Sequence, residues 1–340
     1  MKLLKHIYYS ACSMLPTSSL TSLSPVKTLF PYQHLVSDED LLHIKHLYAY
    51  KNVRQFKKDI DFLLKHFKPV SAEQIADAVA NQKELPPRSF LITFDDGFRE
   101  AHDVIAPILY QKGVPAIFFI NPAFIDNKEL FYRCKISLLI EELSKQKEQA
   151  AVQLTTAILH ANVSSFEDIY ETLKGIKQDQ QSLLDDLAAR IGYSFEAYLK
   201  KQQPFLTSVQ VKELDKLGFT IGAHSWNHPY YDLLNVESQL WETVASADYV
   251  SDMVAAPHRF FSFPHYDNRL PQSFFNQLSQ ADSKIDLLFG TQNQKLELQN
   301  KTVHRFNSER PEIGIRSQVN GILMYCIMQK AFGRHKIERV

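Results

Sequence analysis

The chain has 340 residues, of which 45% are hydrophobic and 22% charged, a composition typical of a globular protein that buries a large core. Lys plus Arg number 38, as do Asp plus Glu, so the formal net charge is zero. This balance gives no support to nucleic acid or an anionic membrane as the main partner.

The apolar segments and the cysteines of the chain favour a cytoplasmic protein. No stretch approaches the roughly 18 apolar residues of a membrane span, and residues 1–25 lack the unbroken apolar segment of a signal peptide. The three cysteines, Cys12, Cys134 and Cys326, are odd in number and widely spaced. We therefore predict no disulfide framework, a reducing compartment and buried, unreactive thiols.

The first predicted elements precede a buried strand. Residues 18–24 are rich in Ser, Thr and Leu and are predicted to be a loop in an N-terminal arm of residues 1–30. Apolar residues recur on one helical face over 52–67. A capping box at Ser71 and Gln74 predicts a second helix that runs through Ala80.

A strand–helix–strand order then recurs along the chain. Residues 89–94 read as a buried strand, 98–112 as a helix ending at Gly113, and 114–120 as the next strand, an order that implies parallel pairing. Further elements follow the same alternation. They are a helix over 207–218, a strand over 219–223, a helix over 237–250, and strands over 260–263 and 286–290.

The stretch from about residue 131 to residue 201 interrupts this alternation of strands and helices. The stretch has no proline and is rich in Leu, Ala, Gln, Lys and Glu. We interpret it as a mostly helical insertion on one side of a barrel, with a separate helical domain as the alternative.

Two adjacent carboxylates end the strand predicted at 89–94. Asp95 and Asp96 follow the apolar run directly, and Gly97 permits the chain to turn. Sites in parallel α/β proteins gather at the carboxyl ends of strands. The two carboxylates can therefore reach one cavity and serve different roles, although a lone Asp-Asp-Gly is more typical of an exposed turn.

Two histidines follow the strand predicted at 219–223. His224 and His228 are four residues apart, so one helical turn ended by Pro229 brings them side by side. Two imidazoles and a carboxylate make a plausible divalent-metal site, and the second aspartate is left as a base. The pattern indicates metal-assisted hydrolysis.

In combination, these motifs resemble a known family. The order Thr93-Phe94-Asp95-Asp96-Gly97, then His224-Ser225-Trp226-Asn227-His228-Pro229, then Phe261-Ser262-Phe263-Pro264 resembles the polysaccharide deacetylases with a NodB-homology domain (carbohydrate esterase family 4). The resemblance covers roughly residues 67–307 without the insertion. It implies a distorted (β/α)7-type barrel with a helical insertion, which we place over residues 31–340.

The resemblance also implies roles for individual residues. Asp95 matches the catalytic base, and Asp96, His224 and His228 match the ligands of a divalent metal, zinc in the first place, with cobalt, nickel or iron also compatible with these donors. Pro264 and His265 match the third motif, where the backbone N–H after the proline helps to hold the oxyanion. Trp226 is predicted to be a pocket aromatic, with core packing as the alternative.

The arginine and the general acid depart from the family pattern. The arginine that orients the base is either Arg259, whose spacing to Pro264 is uncommon, or Arg305, because one branch carries an arginine after the last strand. The acid is predicted to be His304, within a poor match to the family's Leu-x-His motif, or His265 as its rival.

These residues predict a hydrolase that removes an N-acetyl group from a sugar or polysaccharide with a metal-activated water. The expected partner is therefore an N-acetylated carbohydrate. Alternatives are an O-acetyl esterase or another C–N hydrolase on the same site, a metal- or carbohydrate-binding barrel with weakened catalysis, and an α/β scaffold in which the motifs coincide by chance. The glycan and the oligomeric state are not predicted.

Overall fold

A computed structural model describes residues 2–255, 257–281, 285–297 and 300–339, with side chains from residue 7 onward. Met1 and Val340, the outer limits of the two predicted domains, lie outside the described residues. The predicted domain boundaries themselves stay predictions.

The strands of the described residues are short. They are β1 (Thr28–Leu29), β2 (Pro31–Gln33), β3 (Lys68–Pro69), β4 (Ser89–Phe90), β5 (Ile92–Phe94), β6 (Ala116–Ile120), β7 (Thr220–Ala223), β8 (Arg259–Ser262), β9 (Ile285–Gly290), β10 (Leu296–Glu297), β11 (Thr302–His304) and β12 (Phe306–Asn307).

Helices separate and flank these strands. They are α1 (Lys2–Ser13), α2 (Thr17–Leu23), α3 (Val53–His66), α4 (Ala72–Ala80), α5 (Ala106–Gln111), α6 (Tyr132–Ser144), α7 (Glu148–Leu159), α8 (Phe166–Gly175), α9 (Ser182–Arg190), α10 (Phe195–Gln202), α11 (Ser208–Lys216), α12 (Val236–Val254), α13 (Gln272–Ala281) and α14 (Ile315–Ala331). A wider π-type turn over Ala101–Ile105 leads into α5.

The main sheet closes on itself as a distorted barrel. Its strand order is β10-β11-β9-β8-β7-β6-β5-β2-β12, and every pair except β10–β11 is parallel. β11 pairs with β9 and β12 pairs with β2, yet only Arg305 separates β11 from β12 in the chain. The chain therefore joins the two ends of the parallel sheet, which confirms the predicted barrel class.

Alternate residues of each strand face different cores. In β6, Ile117 and Phe119 pack inside the barrel, whereas Ala116, Phe118 and Ile120 pack against the surrounding helices. The interior is tightly filled, because a Cβ added at Gly222 would lie 2.5 Å from the Phe119 ring. The barrel is thus a packed core, and the space for a ligand lies at its rim.

Most predicted elements are confirmed. The helix at 52–67 is α3, and its buried side includes Phe56, Ile60 and Leu63. The capping box at Ser71 begins α4. The predicted strands at 89–94, 114–120, 219–223, 260–263 and 286–290 are present with shifts of one or two residues at their ends, and Leu91 divides the first of them into β4 and β5.

The loop predicted at residues 18–24 is wrong. Residues 18–23 belong to α2, with Leu20 buried, and Ser24 caps its end. Thr17 donates a hydrogen bond of 2.9 Å to Asn320 of α14, and Tyr8 of α1 donates to the Gly321 carbonyl at 2.7 Å. Helix α14 thus supplies the packing surface that the Ser- and Thr-rich sequence does not reveal.

Five helices, α6 to α10, occupy the stretch predicted to be helical at 131–201. They enclose a hydrophobic core of their own that also includes Leu41, Ile44 and Leu47 from the segment before α3. The hydroxyl of Ser137 in α6 donates to the Leu42 carbonyl at 2.7 Å. These contacts hold the start of α6 beside the rim of the barrel.

Two further predictions concern the cysteines and the membrane. All three cysteines are free thiols and buried, as expected. None of the helices in the described ranges combines the length and the apolar character required to cross a bilayer.

Candidate active site

Polar side chains gather at the carboxyl ends of neighbouring barrel strands. His34 follows β2, Asp95 and Asp96 follow β5, and His224 follows β7. Parallel pairing brings these ends together: Gln33 pairs with Phe94, Phe94 with Phe118, and Ile120 with Ala223. They surround a cavity of about 290 Å³ at the rim.

The three predicted metal ligands meet in this cavity. Asp96 Oδ1 lies 3.2 Å from His228 Nε2 and 3.5 Å from His224 Nε2, and all three residues are buried. Their three ligand atoms lie within 4.8 Å of one another. The barrel thus brings Asp96 to two histidines that lie 128 and 132 positions further along the chain.

Local backbone turns hold the histidines in place. Ser225 and His228 have φ of 63°, in the left-handed region that side-chain-bearing residues seldom adopt. The Glu242 carboxylate of α12 accepts from the Trp226 N–H at 2.7 Å, and the side-chain amide of Asn121 donates to the carbonyls of His224 and Ser225. Neighbouring elements therefore impose the turn.

The chemistry of the three atoms fits a cation. His224 Nδ1 donates to the Ser262 carbonyl at 2.8 Å, so the lone pair of its Nε2 faces Asp96. Asp96 Oδ1 is buried and has no hydrogen-bond partner in the described residues. The lone pairs of His224 Nε2 and Asp96 Oδ1 face one another at 3.5 Å and repel unless a positive ion lies between them. Nitrogen and carboxylate donors suit a divalent metal.

Asp95 is paired with Arg305 inside the barrel. The guanidinium donates two hydrogen bonds to the Asp95 carboxylate, at 2.6 and 2.9 Å, and further bonds to Thr93 and Ser262 at 2.9 and 2.5 Å. Burial alone would raise the pKa of Asp95, but Arg305 and then His224 hold it below its usual range. Asp95 is thus kept ionised, 3.9 Å from His224 Nε2.

The prediction that Arg259 orients the base is wrong. Arg259 begins β8, so it lies at the amino end of its strand, away from the cavity. Its guanidinium contacts Asp248 of α12 at 2.7 Å. Of the two arginines considered from the sequence, Arg305 is the one beside Asp95.

His34, which no sequence pattern singled out, lines the same cavity. Its Nδ1 donates to Glu309 at 2.6 Å, and Glu309 also accepts from the backbone N–H groups of His34 and Leu35. Burial would lower the pKa of His34, but the Glu309 carboxylate outweighs it and raises the pKa to about 9. The available signal was a histidine two positions after Tyr32, at the end of the short segment Phe30-Pro31-Tyr32-Gln33.

His265 lines the cavity, whereas the other two predicted pocket residues do not. The His265 ring stacks on Tyr230 with centroids 3.6 Å apart, and burial followed by the nearby His228 holds its pKa well below the usual value. Pro264 is buried behind it. Trp226 packs against Trp241 and Tyr249 outside the cavity, an arrangement that favours its packing alternative.

The structure contradicts His304 as the acid. His304 is buried outside the cavity, where its Nε2 lies 2.8 Å from Glu297 and its Nδ1 lies 3.8 Å from Asp267. Asp267, Glu297 and His304 are also spaced closely enough to hold an ion. However, the Arg339 guanidinium contacts both carboxylates, at 2.6 Å from Asp267, and already supplies the positive charge.

We predict that Arg339→Met lowers the free energy of unfolding by about 3–5 kcal/mol, because it leaves two buried carboxylates without their cation. Urea unfolding followed by circular dichroism measures this change. Arg334→Met, which changes an exposed arginine of the same C-terminal segment, is the control. Equal urea midpoints for both variants would show that the buried network does not stabilise the fold.

Residues 82–285, more than half of the chain, match the model of a protein family described as polysaccharide deacetylase. No curated protein sequence matches the chain. Solved structures with a similar fold include three proteins. They are the deacetylase PplD of Streptococcus pyogenes in complex with acetate (TM-score 0.56, 15% identity, 88% of this chain and 99% of that chain), IcaB of Ammonifex degensii (0.54, 14%, 88% and 98%) and a de-N-acetylase of Aggregatibacter actinomycetemcomitans (0.52, 16%, 87% and 100%).

Proposed function

The chain belongs to the polysaccharide deacetylase family, whose members are hydrolases acting on C–N bonds, and on this basis we propose that it removes an N-acetyl group from a sugar or polysaccharide with the help of a divalent metal. One observation carries the proposal. Three ligand atoms of Asp96, His224 and His228 converge beside an ionised carboxylate, that of Asp95, in one cavity.

Asp96, His224 and His228 would hold the metal, with zinc as the first candidate and cobalt, nickel or iron as alternatives. When bound, such an ion acts as a Lewis acid on the acyl oxygen and lowers the pKa of water in the site. The protein's own part is to present three preformed ligand atoms, so that little reorganisation accompanies binding.

Asp95 is proposed to accept a proton from the attacking water. Its bidentate contact with Arg305 fixes the orientation of the carboxylate and favours its ionised form. The water oxygen forms the new bond to the acyl carbon. The backbone N–H of His265 is proposed to donate to the oxyanion that develops on the acyl oxygen.

His34 is proposed to supply the proton that the leaving amine requires. Glu309 occupies Nδ1, so Nε2 is the nitrogen left for the cavity, and the raised pKa keeps the ring charged near neutral pH. The C–N bond then breaks as the amine nitrogen takes this proton. His265, the rival acid, has the opposite pKa shift and is neutral. The alternative of a catalytically weakened barrel was motivated by the poor match to the family's general-acid motif, and the proposed role of His34 answers that motive.

We predict that His34→Gln lowers kcat about 10²–10⁴-fold, the usual range for loss of a general acid, while metal content stays unchanged. Glu309→Gln should lower the pKa of His34 and move the alkaline limb of the kcat profile to lower pH, because the acid then loses its proton earlier. His102→Gln is the matched control, since His102 also contacts carboxylates but lies outside the cavity. Unchanged kcat in His34→Gln would eliminate this assignment.

Acetate release from matched N-acetylated and O-acetylated oligosaccharides, with the zinc-loaded protein, tests the overall function. The proposal expects hydrolysis of the N-acetyl substrates that chelation abolishes and added metal restores. Preferential release from the O-acetylated substrate would favour an esterase instead. Metal binding without hydrolysis of any acylated sugar would contradict an enzymatic role.

A further inference from the structure

We propose that the sugar from which the acyl group is removed carries an anionic group, a carboxylate or a phosphate, and that Arg133 binds this group. The inference deepens the proposed function and rests on it. Arg133 lies in the first turn of α6 and lines the same cavity as Asp95, Asp96 and His228. Helices α6 to α10 thus contribute a charged side chain to the site.

The carboxylates around the cavity are paired with groups other than Arg133. Asp95 is paired with Arg305 at 2.6 Å, and Glu309 with His34 at 2.6 Å. Arg133 instead donates to the Tyr230 hydroxyl at 3.4 Å, and in the described part of the chain no carboxylate forms an ion pair with it. Asp96 is a further carboxylate of the cavity, and it faces His224 and His228 rather than Arg133.

A partly buried cation without a counter-charge costs free energy. Such a cost is expected where a ligand supplies the missing charge. Arginine has a planar fork of N–H donors that matches the oxygens of a carboxylate or a phosphate. Arg133 is therefore expected to bind a negatively charged oxygen group in preference to the neutral hydroxyl groups of a sugar.

A second cation lies next to the first. Lys177 Nζ lies 4.3 Å from the centre of the Tyr230 ring, whose hydroxyl group accepts from Arg133. Lys177 lines an adjoining compartment of about 560 Å³ that shares Tyr230, Tyr266 and Thr291 with the first cavity. Arg269 of that compartment is already paired with Asp232 at 2.8 Å. Arg133 and Lys177 thus leave this side of the site positive.

We expect the anion and the acyl group to belong to one molecule. The cavity of about 290 Å³ is lined both by Arg133 and by the Asp96, His224 and His228 cluster. A ligand that places its acyl carbon beside Asp95 therefore shares this cavity with Arg133. The adjoining compartment leaves room for the rest of the glycan near Lys177.

The first test compares turnover of N-acetylglucosamine with that of its 1-phosphate, its 6-phosphate and the corresponding 6-carboxylate. At least one anionic sugar should exceed the neutral one in kcat/KM by about 10- to 100-fold, the range expected for one charge-assisted pair. Arg133→Gln should remove this preference, and Arg133→Lys should retain part of it. The phosphate and carboxylate arms identify the anion.

The second test needs no turnover. Binding of glucose, glucose 1-phosphate, glucose 6-phosphate and glucuronate to the zinc-loaded protein is measured by calorimetry, since these sugars have no acyl group to lose. The anionic members should bind more tightly than glucose in the wild type but not in Arg133→Gln. Lys135→Gln is the control, because Lys135 lies two residues further on α6 and pairs with Asp185 outside the cavity.

The outcomes separate this inference from the proposed function. Equal use and equal binding of neutral and anionic sugars by the wild type overturn the inference and leave the deacetylase proposal intact. The same conclusion follows if Arg133→Gln preserves the preference, or if it lowers kcat equally for all substrates, as expected for a contact with the reacting acyl group. Selective binding of anionic sugars without hydrolysis would support the inference while contradicting the proposed activity.

Discussion

Asparagine in place of Asp95 is expected to lower kcat about 10²–10⁴-fold, because the side-chain amide cannot accept a proton from the attacking water. Metal content should stay near the wild-type value, since Asp95 is held by Arg305 and the three ligand atoms belong to other residues. Acetate release, with metal analysis of the same preparation, measures both effects.

The Asp95 variant requires a test of folding, because it leaves the buried Arg305 with a neutral partner. Near-ultraviolet circular dichroism and urea unfolding provide this test. Asp103→Asn, a change of an exposed carboxylate on the following helical segment, is the matched control and should retain full activity. A folded Asp95→Asn protein with wild-type kcat would refute the assignment of the base.

Alanine in place of His228 is expected to abolish stable metal binding and, with it, turnover. Asp96→Ala and His224→Ala should act in the same way, since each removes one of three ligand atoms. In the wild type, zinc at about 100 times its Kd should stabilise the fold by about 2.7 kcal/mol, and this stabilisation should vanish in the variants. Metal analysis and thermal unfolding with and without zinc measure the two effects.

A histidine outside the cavity supplies the comparison for these variants. His258 is partly exposed beside Asp286, so His258→Ala should keep both the metal and the zinc-dependent rise in Tm. Chelation of the wild-type protein should reproduce the loss of activity, and zinc should restore it. Full metal content in His228→Ala would mean that the ion lies elsewhere.

The choice between neighbouring candidates illustrates where sequence reasoning stops. His304 and Arg305 are adjacent, and both were considered for the site. Successive residues of an extended strand point to opposite sides. Arg305 points into the barrel beside Asp95, so His304 faces Glu297 and Asp267 instead. Only the pairing of β11 with β9 and of β12 with β2 decides which of them points inward.

His34 shows a different limit. It follows a strand of only three residues, and its partner Glu309 lies 275 positions further along the chain. No local periodicity links two such segments. The closure of the barrel brings them together, because β12 places the chain after Asn307 next to the end of β2.

By itself, the sequence determined the strand–helix alternation and the helix caps. It also determined Asp95 and the three candidate metal ligands, because each of these features depends on a pattern of a few consecutive residues. Apolar periodicity marks which side of an element is buried, and a polar residue directly after a strand marks the rim. Only the tertiary structure decided that Arg305 pairs with Asp95 and that His34 and Arg133 line the cavity. Those contacts depend on strand register and barrel closure, which join distant segments through packing that no local pattern encodes.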